Sequence, residues 1–183
     1  QYNKAIAARP NEASYYYGLG TAYQSKNDLQ EALKNYQKAS SINPQEPTFK
    51  QAIKQVNQAQ AAPLVESAIK KQTTPDPAGK YDLARAIADY EAALKLDDDA
   101  GTHLNLGTAY QADNNPTRAT SEYKRALQIN PNLADAHYYL GTIYDTNKQI
   151  PAAISEYQKY LKMAPNGASA TDTRERLKLL GRK

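Results

Sequence analysis

Apolar and aromatic residues recur at helical spacing, and short polar segments separate the stretches that carry them. Tyr16, Leu19 and Tyr23 follow one another at intervals of three and four, so they share one face of a helix. After a short Asn-Asp segment, Ala32 and Tyr36 begin a second stripe of the same kind. The pattern predicts paired amphipathic helices and an all-α chain.

The pattern repeats with a period of 34 residues. The pairs that lie 34 residues apart are Gly107 with Gly141, Tyr110 with Tyr144, Ala119 with Ala153, Tyr123 with Tyr157 and Pro131 with Pro165. Gly20 precedes Gly107 by 87 residues, which is two periods and 19 further residues. The unit between them is therefore predicted to have lost its signature and to carry an insertion.

These repeats resemble the tetratricopeptide repeat (TPR). The residues that carry the resemblance are Tyr16, Leu19, Gly20, Tyr23, Ala32, Tyr36, Ala39 and Pro44, then His103, Leu106, Gly107, Tyr110, Ala119, Tyr123, Ala126 and Pro131, then His137, Leu140, Gly141, Tyr144, Ala153, Tyr157, Tyr160 and Pro165. The two histidines depart from the pattern, and so does Tyr160, which stands where a small residue is usual. The resemblance implies a right-handed α-solenoid of antiparallel helix pairs.

The repeats divide the chain into six segments. These are the second helix of a truncated repeat (1–10), a TPR unit (11–46), a degenerate unit (47–99) with an insertion at about 62–79, two further units (100–133 and 134–167) and a C-terminal capping helix (168–183). Because the chain begins half-way through a repeat, we expect that the intact protein extends further at its N-terminus or was trimmed there.

In the degenerate unit, an apolar stripe from Phe49 to Ala59 predicts a first helix, and residues 81–96 predict its partner. Pro63 is expected to begin a short helix over residues 64–71, since proline suits a first helical turn. Residues 73–79 then read as a loop, either a plain surface insertion or a lid beside a binding groove. Asp99 is expected to cap the next helix.

The repeated glycines predict close helix crossings. Gly20 is expected to meet Ala32, Gly107 to meet Ala119 and Gly141 to meet Ala153, because small residues let two antiparallel helices approach. Gly18 lies off this stripe, and the sequence gives no reason for it.

Residues that could carry out catalysis are scarce. The chain has no cysteine and two histidines, and it lacks a glycine-rich phosphate loop and a serine elbow. His103 and His137 occupy equivalent places on the packed stripe, which favours core histidines over a metal pair. The sequence therefore predicts no catalytic residue, no metal and no cofactor.

The distribution of charge along the chain limits the classes of partner that it is expected to bind. The net charge is +4, and residues 172–183 alone carry five basic and two acidic side chains. A surplus at one end is not a stripe that follows a nucleic-acid backbone, so no nucleic-acid partner is expected. The C-terminal segment reads as a capping helix, with a basic membrane-surface helix as the alternative. If the segment is a capping helix, membrane contact requires an anchor outside residues 1–183.

The sequence does not indicate the cellular compartment. A cysteine-free chain rich in Gln and Asn favours a bacterial source.

The resemblance implies that the first helix of each repeat lines a concave groove. The predicted groove residues are Tyr17, Thr21, Gln24, Lys50, Lys54, Asn57, Leu104, Asn105, Thr108, Gln111, Tyr138, Thr142 and Asp145. The clear units have no basic residue on this stripe, so a clamp for a peptide's terminal carboxylate is not expected. The predicted partner is a protein segment or helix held by tyrosines and amides, with an acidic side chain near Lys50 and Lys54.

Two other functions remain open at this point. The unpaired edge at residues 1–8, or the C-terminal helix, could dock on another copy and make the chain a homo-oligomer. The chain could also be the regulatory domain of a larger protein.

Overall fold

The structure is a computed structural model, and it describes residues 1–181. Those residues form ten α-helices and contain no strand. The helices are α1 (Tyr2–Ala8), α2 (Ala13–Ser25), α3 (Leu29–Ile42), α4 (Pro47–Thr73), α5 (Leu83–Leu96), α6 (Ala100–Ala112), α7 (Pro116–Ile129), α8 (Ala134–Thr146), α9 (Ile150–Met163) and α10 (Ala170–Leu180). The predicted all-α fold is confirmed.

Antiparallel pairs are the building block of the fold. The pairs are α2 with α3, α6 with α7 and α8 with α9. In two of them the connecting turn uses an asparagine in the left-handed conformation, Asn27 at φ 59° and Asn114 at φ 58°. Asparagine tolerates this conformation better than most residues do. Asp28 and Asn115 then cap the second helices through their side chains.

The chain divides into two compact units. Unit 1 comprises Gln1–Leu64 and Lys95–Asp97, and unit 2 comprises Val65–Leu94 and the residues from Asp98 onward. The core of unit 1 is built around Tyr36 with Ala32, Ala52 and Val56. The largest core cluster of unit 2 centres on the buried rings of Tyr90, Tyr110 and Tyr123.

The separate helix predicted for residues 64–71 is wrong. Pro63 lies inside α4, which continues through it to Thr73. An interior proline removes one backbone hydrogen bond and costs about 3 kcal/mol. Packing on both sides offsets this cost, because Ala61 before the proline and Ala68 after it are buried while Pro63 itself is exposed.

Helix α5 takes its partner from the second half of α4. Lys71 pairs with Asp89 at 2.5 Å, and the Tyr90 hydroxyl donates to Gln72 Oε1 at 2.9 Å. The apolar stripe from Phe49 to Ala59, which the sequence predicted to pair with this helix, instead packs within unit 1. There Phe49 contacts Ala13 and Ala39. Tyrosine and glutamine are 18 residues apart here but 12 apart in the pairs Tyr36–Gln24 and Tyr123–Gln111. The six additional residues therefore lie in the loop 74–82.

The repeated glycines make room for tyrosine rings. A Cβ added at Gly107 would lie 2.7 Å from Cδ1 of Tyr123, and one at Gly141 would lie 2.6 Å from Cδ1 of Tyr157. The nearest neighbours are thus the tyrosines of the second helix, where the sequence predicted Ala119 and Ala153. Gly20 meets both the Tyr36 ring and the Ala32 carbonyl, the latter at 3.2 Å.

Gly18 also has a structural reason. A Cβ there would lie 2.6 Å from Cζ of Tyr2, so the ring of α1 rests against the backbone of α2. Close approach between consecutive repeats, which the sequence did not predict, explains this glycine.

Candidate functional site

In unit 1, three predicted groove residues lie together on α2. Tyr17 is half-buried, with its ring 5.4 Å from that of Tyr36 and 5.3 Å from that of Phe49. The Tyr36 hydroxyl donates to Gln24 Oε1 at 2.6 Å and lies 3.3 Å from Thr21 Oγ1. Tyr17 therefore contributes to helix packing, and Thr21 and Gln24 surround a buried hydroxyl.

The other three candidates of unit 1 lie in the first half of α4. Lys50 and Lys54 are exposed, and Asn57 is half-buried. By the 34-residue period they stand in the places of Tyr16, Gly20 and Tyr23, which in α2 face the paired second helix. These residues are therefore not in the stripe that holds Tyr17, Thr21 and Gln24.

In unit 2, the candidates on α6 form a polar row. Thr108 Oγ1 accepts a hydrogen bond from Gln72 Nε2 at 2.9 Å and donates to the Asn105 carbonyl at 2.7 Å. Gln111 is exposed, and its Oε1 accepts from the Tyr123 hydroxyl at 3.0 Å. Leu104 is half-buried against the core cluster of unit 2.

On α8, helix α10 engages two of the three candidates. The Tyr138 hydroxyl donates to Asp172 Oδ2 at 3.1 Å, and Asp145 lies 3.8 Å from the guanidinium of Arg176. Thr142 donates to the backbone of its own helix. Within this part of unit 2, the capping helix therefore occupies part of the surface that the sequence assigned to a partner.

A hydrogen bond from tyrosine to glutamine recurs in both units. Its three instances are Tyr36 to Gln24, Tyr90 to Gln72 and Tyr123 to Gln111. Burial raises the pKa of Tyr90 to about 12 and also raises the pKa of Tyr123, so both hydroxyls keep their protons near neutral pH. A hydroxyl that donates must face the amide oxygen, which leaves the amide nitrogen pointing elsewhere.

The side-chain nitrogens of these three glutamines differ in whether they have a hydrogen-bond acceptor. The side-chain nitrogen of Gln72 donates a hydrogen bond to Thr108 Oγ1. Among residues 1–181, neither Gln24 nor Gln111 has a hydrogen-bond acceptor for its side-chain nitrogen. These two glutamines therefore present oriented N–H donors on first helices. The sequence showed their positions, but only the structure shows that tyrosines fix their orientation.

The two histidines are buried, as predicted, and each is bonded to a carboxylate. His103 Nδ1 lies 2.6 Å from Glu122 Oε2, and its Nε2 lies 2.7 Å from Asp98 Oδ1. Ionised carboxylates only accept hydrogen bonds, so His103 donates to both of them when both of its ring nitrogens carry protons. Burial lowers the pKa of His103, but Glu122 and Asp98 together outweigh it and hold the pKa above its usual value. In the part of the chain that the structure describes, no three potential ligands cluster to hold a metal.

We expect His103 to make stability depend on pH. A group whose pKa is raised in the folded state stabilises that state fully at pH values below its unfolded pKa, which is 6.5 for histidine. This stabilisation is lost as the pH rises through the folded-state pKa. Asp98→Asn should therefore cost more stability at pH 6 than at pH 9. Urea denaturation between pH 6 and pH 9 measures the stability that Asp98→Asn loses at each pH. Asp113→Asn is the control, because Asp113 is exposed. Parallel stability curves for wild type and Asp98→Asn would contradict this interpretation.

The loop 74–82 is ordered by one aspartate. Asp76 Oδ1 accepts the backbone N–H groups of Ala78 and Lys80, both at 2.9 Å. Beside the loop lies a pocket of about 910 Å³ whose lining includes Lys80 and Tyr81. The loop thus has a fixed shape, and whether it acts as a lid remains a prediction.

No described helix is both long enough and apolar enough to cross a bilayer. This finding covers residues 1–181.

Sequence comparison identifies the repeats independently. Residues 13–46 match one family model described as tetratricopeptide repeat, and residues 79–132 and 104–168 match a second model of the same description. Together these matches cover more than half of the chain. A comparison with curated proteins gives no match.

Solved structures of low identity share the fold. The first TPR of Spaghetti (RPAP3), bound to the HSP90 peptide SRMEEVD, aligns with a TM-score of 0.60 at 20% identity, over 68% of this chain and 93% of that one. The OM64 TPR domain of Arabidopsis gives 0.61 at 18% identity, over 67% and 98%. The MamA protein gives 0.55 at 22% identity, over 93% and 81%.

Proposed function

Because the chain belongs to the tetratricopeptide repeat family, we propose that it is a non-catalytic scaffold that binds a peptide segment or helix of a partner protein. Each unit presents its own binding surface, which is the groove side of α2 in unit 1 and the groove side of α6 in unit 2. A protein of similar fold, RPAP3, binds a peptide of HSP90.

The oriented glutamines carry this proposal. Gln24 and Gln111 stand at equivalent places in their repeats, and a buried tyrosine hydroxyl fixes each side chain. Their N–H groups are suited to the backbone carbonyls of an extended segment. Since the donors are already oriented, binding loses less side-chain entropy than it would with mobile glutamines.

The chemistry of the stripe favours an internal segment over a terminal carboxylate. Around Gln24 and Gln111 the stripe offers hydroxyls and amides, with Thr21 and Thr108 nearest in sequence among the predicted groove residues. Neutral donors serve carbonyl groups well, whereas a free carboxylate calls for a basic partner. Lys50 and Lys54 are exposed but lie outside this stripe, so a partner that fills the stripe is not expected to pair with them.

The double variant Gln24→Glu with Gln111→Glu tests the proposal. Glutamate keeps an oxygen for the tyrosine hydroxyl but removes the N–H donors, so the fold should persist while peptide binding weakens at least about tenfold, or 1.4 kcal/mol. Peptides selected from a displayed random library on the wild-type chain serve as ligands, and fluorescence anisotropy measures their affinity.

A matched control carries the same charge change on second helices. Gln30 on α3 and Gln158 on α9 are exposed, and Gln30→Glu with Gln158→Glu should leave affinity unchanged. If the library yields no peptide, or if both double variants bind with equal affinity, the groove proposal is wrong.

A further inference from the structure

The histidine sites of two consecutive repeats are built from equivalent residues, with one difference. His103, Glu122 and Arg125 have their equivalents 34 residues later in His137, Glu156 and Lys159. The imidazole of His137 donates from Nδ1 to Glu156 Oε2 at 2.5 Å, as that of His103 does to Glu122. The two sites lie within unit 2 and outside the predicted groove residues.

The difference is the residue that precedes the first helix. In the earlier repeat, the Asp98 carboxylate bridges His103 Nε2 and the guanidinium of Arg125. In the later repeat, Asn132 stands in place of Asp98 and is exposed. Among residues 1–181, His137 Nε2 has no hydrogen-bond partner.

A cavity lies beside His137 in the later repeat. It has a volume of about 340 Å³, and its lining includes His137, Glu156, Lys159 and Lys124. Lys159 lies 2.7 Å from Glu156 and its side chain is half-exposed, while Lys124 on α7 is exposed. Two lysines thus flank an imidazole edge in a space that can accept a carboxyl group.

We propose that this cavity binds an aspartate or glutamate side chain of a partner protein, held by His137 Nε2 and Lys159 as Asp98 is held by His103 and Arg125. The chain's own earlier repeat provides the geometry of the complex. An acidic side chain would form charge-assisted hydrogen bonds to the imidazolium and the ammonium group. This site is separate from the groove, so the two proposals can fail independently.

Binding at this site is coupled to a proton. His137 donates from Nδ1 to Glu156, and it must gain a proton on Nε2 to donate to a second carboxylate. The charged and titratable groups facing it are Glu156 and Lys159 on α9, Lys124 on α7 and Tyr144 on its own helix. Acidic ligands should therefore bind more tightly at acidic than at alkaline pH.

The two histidines allow a direct measurement by NMR. The chain contains no others, so each imidazole gives its own signals in the intact protein. The probe is a short blocked peptide with a single aspartate, and its asparagine version is the control. At pH 6 the aspartate peptide should shift the His137 signals and leave those of His103 in place, because Asp98 occupies that site. Equal shifts of both histidines, or none, would overturn the proposal.

A substitution supplies the carboxylate from within the chain. In Asn132→Asp, the new carboxylate should bond to His137 Nε2 as Asp98 bonds to His103 Nε2, and it should abolish the response to the peptide. The reverse change, Asp98→Asn, should make His103 respond to the peptide as His137 does. A response of His137 to the aspartate peptide that is the same in Asn132→Asp and wild type would reject the carboxylate site, whatever the groove binds.

Discussion

Truncation of Tyr160 to alanine is expected to lower the free energy of unfolding by about 3–5 kcal/mol, the range for removing a large buried aromatic side chain. Tyr160 is fully buried, although its equivalents in other repeats are Ala39, Ala93 and Ala126. Its ring lies 5.6 Å from that of Tyr138. The substitution would therefore open a cavity where this repeat meets the segment leading to α10.

The hydroxyl of Tyr160 makes a second, smaller contribution. It accepts the backbone N–H of Ser169 at 3.0 Å, just before α10 begins. Tyr160→Phe keeps the ring and removes this bond, so it should cost about 0.5–1.5 kcal/mol. In both variants the amides of α10 should exchange with solvent faster than in the wild type.

Chemical denaturation measures both variants of Tyr160. Leu179→Ala on α10 is the control, because Leu179 is 56% exposed and its truncation should change stability by no more than about 0.5 kcal/mol. If Tyr160→Ala cost no more than Tyr160→Phe, the ring would not be filling the space assigned to it.

The repeat and its buried stripe could be predicted from sequence because each depends on local periodicity. Tyr36, Tyr123 and Tyr157 are all buried as the helical spacing indicates. The cap at Asp99 was likewise predictable, and its side chain accepts the N–H of Thr102 at 2.8 Å. These features are decided by residues within one or two helical turns of each other.

The features that sequence did not reveal depend on contacts between distant residues. Whether Pro63 ends a helix is decided by packing on both sides of it, which no local signal records. The shift of α5 to a new partner becomes visible only through the bond from Tyr90 to Gln72. The carboxylates that hold His103 lie 5 and 19 residues away, and helical spacing within one element points to neither.

In the candidate site too, some features follow from local periodicity and others depend on contacts between distant residues. The positions of Gln24 and Gln111 follow from the 34-residue period, with the inserted segment allowed for. Their orientation follows from tyrosine hydroxyls on the paired helix, which a sequence pattern does not show. Asp145 was predicted as a groove residue, but its proximity to Arg176 depends on how α10 packs.

Replacement of Gly107 by alanine is expected to destabilise the protein by about 1–3 kcal/mol, the usual cost of overpacking a core. In an exposed helix the same change would stabilise by up to about 1 kcal/mol, because alanine is the better helix former. The sign reverses here because the new methyl group would lie 2.7 Å from Cδ1 of the fully buried Tyr123. The Tyr123 ring is also stacked on the ring of Tyr139, with 5.3 Å between the ring centroids, and this packing opposes its movement.

A second glycine of the same helix provides the matched control. Gly101 lies in the first turn of α6, where an added Cβ would meet the tip of the Asp99 side chain at 3.1 Å. That side chain can move by a few tenths of an ångström, so Gly101→Ala should be neutral or slightly stabilising. In the background of Tyr123→Leu, Gly107→Ala should cost less stability than it does in the wild type, because the smaller side chain leaves room for the methyl group. Urea denaturation of the wild type, the three single variants and the double variant measures these differences. If Gly107→Ala proved as stable as Gly101→Ala, tyrosine packing would not be the reason that glycine stands at this crossing.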